Sequence, residues 1–227
     1  MFGKRSKDIV ISYKNLRRLI GLLGIALPFL CLLGLFITKT QLQPSISHCY
    51  YTNVRDVFIG IMIGVSMFLI TYNGYDKTDD AVTNLTGLFG IGLALCPCLI
   101  SKGSTINVGY LNINPIVSNI IHVTCAALFF ILLALNSIFL FTKTAKDTKA
   151  ITPNKNKRNI IYITCGIVMI VLMLLLVVLS LALGDEFNNE PIAFTIESFM
   201  LFAFGISWLV KGETIFRDKM PTVSAHP

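Results

Sequence analysis

The run IIYITCGIVMIVLMLLLVVLSLAL, Ile160 to Leu183, contains no charged side chain. As an α-helix it would extend about 36 Å, more than the ~30 Å hydrocarbon core of a bilayer. A helix that is apolar all round has no polar face to give to water, so it is buried in protein or set in lipid. The rest of the chain decides between the two. Of its 227 residues 54% are hydrophobic and 14% charged, and the mean hydropathy is +0.73. Soluble domains carry roughly a quarter charged residues, and a core of this size could not hide so much apolar surface. The excess gathers in six blocks: Leu19 to Thr38, Val57 to Tyr72, Leu85 to Ile100, Ile116 to Phe141, Ile160 to Leu183 and Ile192 to Val210. The expected fold is therefore all-α, a polytopic six-transmembrane-helix bundle forming one domain over 1–227. A soluble enzyme, a disordered chain and a secreted disulfide scaffold are excluded.

The second and third blocks are short, so flanking polar turns are expected to complete their crossings. Pro28 is expected to kink the first span. Asn114-Pro115 and Glu190-Pro191 are expected to open the fourth and sixth with Pro in the first turn, where its missing N–H costs nothing. The first block is longer than a signal-peptide core and lacks a small-residue cleavage site, so it reads as a retained signal anchor.

The net charge of +7 is a topology signal here, and nucleic-acid binding is rejected. Lys4, Arg5, Lys7, Lys14, Arg17 and Arg18 precede the first span. Lys143, Lys146, Lys149, Lys155, Lys157 and Arg158 lie between the fourth and fifth. Lys77, Lys211, Arg217 and Lys219 fall on the same side, against only Lys39, Arg55 and Lys102 on the other. Sixteen against three places both termini in the cytoplasm, with the loops around His48, Ser104 and Glu186 outside. Trp208, Tyr72 and Tyr162 then sit at cytoplasmic ends and are expected in the interfacial aromatic belt, with Lys211 snorkelling to headgroups.

Gly60 and Gly64 stand at GxxxG spacing, with Gly87, Gly90 and Gly92 on the next span. Such residues let helices approach closely, either between copies of the chain or within one. The short connection Asn73 to Asn84 makes these two spans antiparallel neighbours, which favours contact within the chain and leaves a homo-oligomer as the other option. The Asn84-Leu-Thr86 sequon falls on the cytoplasmic side and is set aside. Cys49, Cys96, Cys98 and Cys125 lie toward the outer face. Cys96-Pro97-Cys98 lacks the C-x-x-C spacing of thiol oxidoreductases. Buried free thiols are the commoner outcome, a disulfide from Cys49 to a third-span cysteine the other.

The polar groups worth most attention gather outside. The first outer loop carries His48, Tyr50, Tyr51, Asn53, Arg55 and Asp56. The fourth span aligns Ser118, His122 and Cys125 on one face with Asn136 further along, and the sixth carries Glu197 beside Ser198. His122 and Glu197 share a depth about 7–9 Å inside the outer boundary. Ionisable groups inside a span are costly and so are functional candidates. In this reading Arg55 holds an anionic group, Glu197 and His122 supply hydrogen bonds or exchange a proton, and Tyr51, His48 and Asp56 complete the ligand-binding set. The bland readings are that Asp56 and Asn53 finish a helix cap, that His122 is a satisfied bundle histidine, and that Glu197 is a structural partner for Arg55 or Tyr50.

The stretches Tyr50-Tyr51-Thr52-Asn53-Val54-Arg55-Asp56-Val57-Phe58-Ile59-Gly60, Tyr72-Asn73-Gly74-Tyr75-Asp76 and Asn84-Leu-Thr-Gly87 resemble a family of small, uncharacterised bacterial multi-pass membrane proteins. The resemblance covers the second to fourth spans and implies a six-helix bundle in a bacterial inner membrane, without implying an activity. Ser47-His48 and Asp56 are also similar to the pattern of alkaline ceramidase-like membrane hydrolases, which use a Ser, an Asp and three His around zinc in a seven-helix fold. Here six spans are expected, and His226 belongs to the opposite side from His48 and His122.

The expected function is an integral membrane protein with an outward-facing polar pocket that binds or passes a small molecule or lipid headgroup, without a cofactor. No pair of interrupted helices in matching halves points to a transporter. The alternatives are an intramembrane lipid hydrolase holding zinc on His48, His122, Asp56 and Glu197, and a structural or assembly subunit.

Overall fold

The computed structural model describes residues 2–72, 74, 76–100, 106–143, 153–184, 186–187 and 190–216, with side chains from residue 13 on. Ser104, Lys102, Lys146, Lys149 and the tail carrying Arg217, Lys219 and His226 lie outside the described residues. The elements are α1 (Phe2–Ile37), a 3-10 turn (Ser47–Tyr51), α2 (Arg55–Ile70), α3 (Lys77–Leu95), α4 (Pro115–Leu135) running on as a π-helical turn (Asn136–Leu140), α5 (Pro153–Leu183) and α6 (Ile192–Lys211). Among the described residues the only extended pairing is an isolated bridge between Val108 and Ile113. Each helix packs chiefly on its neighbours in the chain, and α6 closes on α1, so the six form a ring in chain order. Four of them are long and apolar enough to cross a membrane: α1 from Tyr13, α4 with its π turn, α5 and α6. The 16 residues of α2 make about 24 Å, and α3 carries Asp79 and Asp80 in its first turn.

Local chemistry sets the boundaries. The Asp76 side chain accepts the Asp79 N–H at 3.0 Å and starts α3 well before the apolar block. Pro97 stops it, since a proline there cannot donate to the Leu93 carbonyl. At α4 the expectation holds: Asn114 accepts the Ile116 N–H at 2.9 Å and Pro115 follows it. At α6 it shifts, because Pro191 occupies the N-cap and the helix begins at Ile192. Helix α1 continues through Pro28.

Glycines form the seams of the ring. A Cβ on Gly21 would sit 2.6 Å from the Gly205 carbonyl, joining α1 to α6, and one on Gly166 would sit 2.9 Å from the Ala134 carbonyl, joining α5 to α4. A Cβ on Gly87 would meet the Ser66 carbonyl of α2 at 2.5 Å, and one on Gly90 would collide with the Ser66 hydroxyl. Gly60 and Gly64 have nothing within 4 Å of that position. The expectation that they pack α2 on α3 is therefore corrected: α3 supplies the small residues and α2 supplies Ser66 and Ile70.

The aromatic-belt expectation also fails. Trp208, Tyr162 and Tyr72 are 1%, 2% and 4% exposed. They form one edge-to-face chain in the core, Tyr72 to Trp208 at 5.2 Å, Trp208 to Phe141 at 5.0 Å and Phe141 to Tyr162 at 5.5 Å. Helical phase turns these rings inward, and depth in the membrane does not reveal phase. Lys211 follows them inward and does not snorkel. Its Nζ donates to the Phe141 carbonyl at 3.2 Å, over the Phe141 and Tyr162 rings.

Candidate functional site

Glu197 and His122 do not meet. Glu197 Oε2 accepts the backbone N–H of Ile46 at 2.8 Å and faces that of Ser47, so it holds the start of the 3-10 turn. One turn earlier on α6 the Phe194 N–H donates to the Pro44 carbonyl at 2.8 Å, tying the same loop down a second time. No ion pair joins Glu197 to Arg55. The pairing of Glu197 with Arg55 or Tyr50 is thus replaced by service to the loop backbone. The ring order explains why: α2, α4 and α6 alternate around the bundle and each has other helices beside it.

His122 serves the end of α3. Its Nδ1 donates to the Cys96 carbonyl at 2.7 Å and the Leu93 carbonyl at 3.1 Å. The Leu93 carbonyl would take the N–H of residue 97 if that residue were not proline, and His122 fills the vacancy. The same face of α4 fixes the next residues. Ser118 donates to the Pro97 carbonyl at 2.8 Å, and Asn119 Oδ1 accepts the Leu99 N–H at 2.8 Å. The expected stripe on α4 exists, and it grips the end of α3.

His48 and Tyr51 bind the loop between α1 and α2 to this anchored segment. Tyr51 donates its hydroxyl to the Cys98 carbonyl at 2.6 Å, and His48 lies against the Leu99 carbonyl, with its Nδ1 2.7 Å from the Ser45 hydroxyl. Burial lowers the His48 pKa from 6.5, so its ring is neutral at pH 7. Burial, with the neighbouring Cys98 and Tyr50, raises Tyr51 to about 12 and keeps its hydroxyl a donor.

Beside this layer a pocket of about 400 Å³ opens to solution, lined by Tyr50, Tyr51, Thr52, Asn53, Arg55, Val108 and Gly109. Arg55 Nη2 donates to the Tyr50 hydroxyl at 2.7 Å, and the guanidinium lies 4.3 Å over the Tyr50 ring. The ring fixes the cation while its other donors stay available. Gly109 closes the far wall. Its φ of +77° suits glycine, and a Cβ there would strike Pro97 at 2.8 Å. The structure therefore brings Arg55 and Tyr51 to one pocket, while His48, His122 and Glu197 support the layer beneath it.

Asp56 stands exposed in the first turn of α2, where its charge suits the positive helix end. The cap expected of Asn53 is absent: Val54 is the N-cap, and its N–H donates to the Thr52 hydroxyl at 3.2 Å. Among the described residues no group of three or more His, Cys, Asp or Glu is arranged to hold a metal ion, so His48, His122, Asp56 and Glu197 do not assemble into one. All six cysteines are free thiols.

A charge cluster at the opposite end was missed in the sequence reading. Lys143 bridges Asp76 at 2.9 Å and the buried Asp79. Its hydrogen bond pulls the exposed Asp76 carboxyl below its ordinary pKa, and Asp79 and then Asp76 raise Lys143. The Asp76-Lys-Thr-Asp79-Asp80 run at a helix start was the available signal. No family model, no curated protein and no solved structure matches the chain.

Proposed function

We propose that this chain is a membrane protein whose outward-opening pocket binds the anionic part of a small molecule or lipid headgroup at Arg55. The observation that carries the reading is the guanidinium stacked on Tyr50 at the wall of an open, mixed polar and apolar pocket. Tyr51, Thr52 and Asn53 supply further polar contacts from the same strip of chain. In this account all six helices cross the membrane, α2 and α3 with the help of their flanking turns, and both termini face the cytoplasm. The excess of Lys and Arg on the terminal side supports that orientation. A bacterial inner membrane is part of the same proposal.

Glycerol 3-phosphate is a suitable probe because it presents the phosphate shared by soluble esters and lipid headgroups. Titration into the purified protein should show saturable binding, weakened about 10- to 100-fold by Arg55→Gln, as expected for a lost charge-assisted hydrogen bond. Equal binding by Arg55→Gln would refute the assignment.

A further inference from the structure

Two cysteines meet where the loop between α1 and α2 lies on α1. The Cys31 thiol of α1 shares a hydrogen bond with the Cys49 thiol of the 3-10 turn, and both residues are 0% exposed. Contacts on either side fix that approach. Gly34, one turn beyond Cys31, lies against Val54, and a Cβ there would strike the Val54 side chain at 2.9 Å. Glu197 holds the Ile46 N–H before the turn, and Tyr51 holds the Cys98 carbonyl at its end. Cys49 is therefore pinned from both flanks onto the face of α1 that carries Cys31. Cys98 also interacts with Cys49 electrostatically, which makes it the competing partner. Two buried free thiols could serve simply as small apolar side chains. A direct sulfur-to-sulfur contact between separate elements, held by anchors on both sides, points further.

We propose that Cys31 and Cys49 form a redox pair that closes to a disulfide, by exchange with a disulfide donor, as the loop docks on α1. The docked sulfurs are sealed from any donor, so the bond belongs to the docking step. Cys49, on the loop, reaches the donor first. Its thiolate attacks one donor sulfur, the donor S–S bond breaks, and one donor half leaves as a thiol with the Cys49 proton. Docking brings this mixed disulfide to Cys31, whose sulfur displaces the second half, which leaves with the Cys31 proton. The two protein thiols are thus oxidised by two electrons, and the donor disulfide is reduced to two thiols. The product ties Tyr50 and Tyr51, which follow Cys49 directly, to α1 and so fixes one wall of the Arg55 pocket. In the proposed orientation this end of the bundle faces the outer compartment, where disulfides persist.

The test uses the full-length chain, synthesised cell-free into phosphatidylcholine nanodiscs in a buffer of reduced and oxidised glutathione. The product is denatured, alkylated and mapped by peptide mass spectrometry. Both nanodisc faces meet the buffer, so failure of the pairing and failure of the proposed orientation are told apart. The predominant linked pair should be Cys31 with Cys49, and dithiothreitol should release it after denaturation. Cys31→Ala lacks the displacing thiol, so it should lose the link entirely and trap Cys49 as its glutathione adduct. Cys98→Ala should keep the link. Alkylation of both Cys31 and Cys49 as free thiols in the wild type, or a link from Cys49 to Cys98 in its place, would each overturn the proposal.

Discussion

Glu197 shows what a carboxyl group can do for a backbone. Its oxygen replaces water at the Ile46 N–H, a donor the loop cannot satisfy locally. Glu197→Gln retains an acceptor at that position and should unfold close to the wild type. Glu197→Leu leaves the N–H orphaned and should cost about 1–3 kcal/mol, read by denaturation in detergent. Equal stability of the two variants would contradict this role. His48 carries the pH dependence of the same loop. Burial holds its folded-state pKa below the ordinary 6.5, so the neutral ring contributes stability that is present above pH 6.5 and lost as pH falls through the lower folded value. The melting temperature should therefore drop on acidification from pH 7.5 to 5, and His48→Gln should flatten that drop. An unchanged slope in the variant would show that another group titrates.

At the scale of elements, the glycines divide into two kinds that the sequence presents alike. Gly87→Ala and Gly90→Ala place a methyl against Ser66 and should destabilise by about 1–3 kcal/mol. Gly60→Ala and Gly64→Ala meet open space and should be neutral or stabilising by up to about 1 kcal/mol, through helix propensity. Thermal unfolding of the four variants in one detergent checks the contrast, and loss of an oligomer in Gly64→Ala alone would show that the open ridge faces a second copy. The sequence shows which residues are small but not which way they point, because α2 beyond its first turn and α3 beyond Thr86 are apolar nearly all round. Helix ends were more legible. Asn114-Pro115 announced α4, and Pro97 could have revealed the role of His122, since it deletes the N–H that the Leu93 carbonyl lacks. Glu197 offered no such clue. Its partner is a backbone group 151 residues away, and only the closure of α6 against the first loop brings them together.

At the scale of the molecule, the apolar blocks made the helical class legible, because five of the six carry no charged side chain and leave few alternatives to lipid. The ring order was not legible, since it depends on which faces meet, and with it went the expectation that Arg55, His122 and Glu197 act together. The proposed orientation puts Gln41 outside and Lys157 inside, both exposed. In intact cells an impermeant maleimide should label Gln41→Cys and spare Lys157→Cys until the membrane is opened. The reverse pattern would invert the topology and place Arg55 in the cytoplasm.

The central claim, an outward pocket that holds an anion at Arg55, is tested most directly at Asn53, an exposed residue of the pocket wall. The rate at which an impermeant maleimide labels Asn53→Cys in intact cells is the quantity to measure, with and without glycerol 3-phosphate. The account predicts labelling from outside, slowed severalfold by the anion, with that protection abolished by Arg55→Gln. Labelling that needs a permeabilised membrane, or that the anion leaves unchanged, would contradict it.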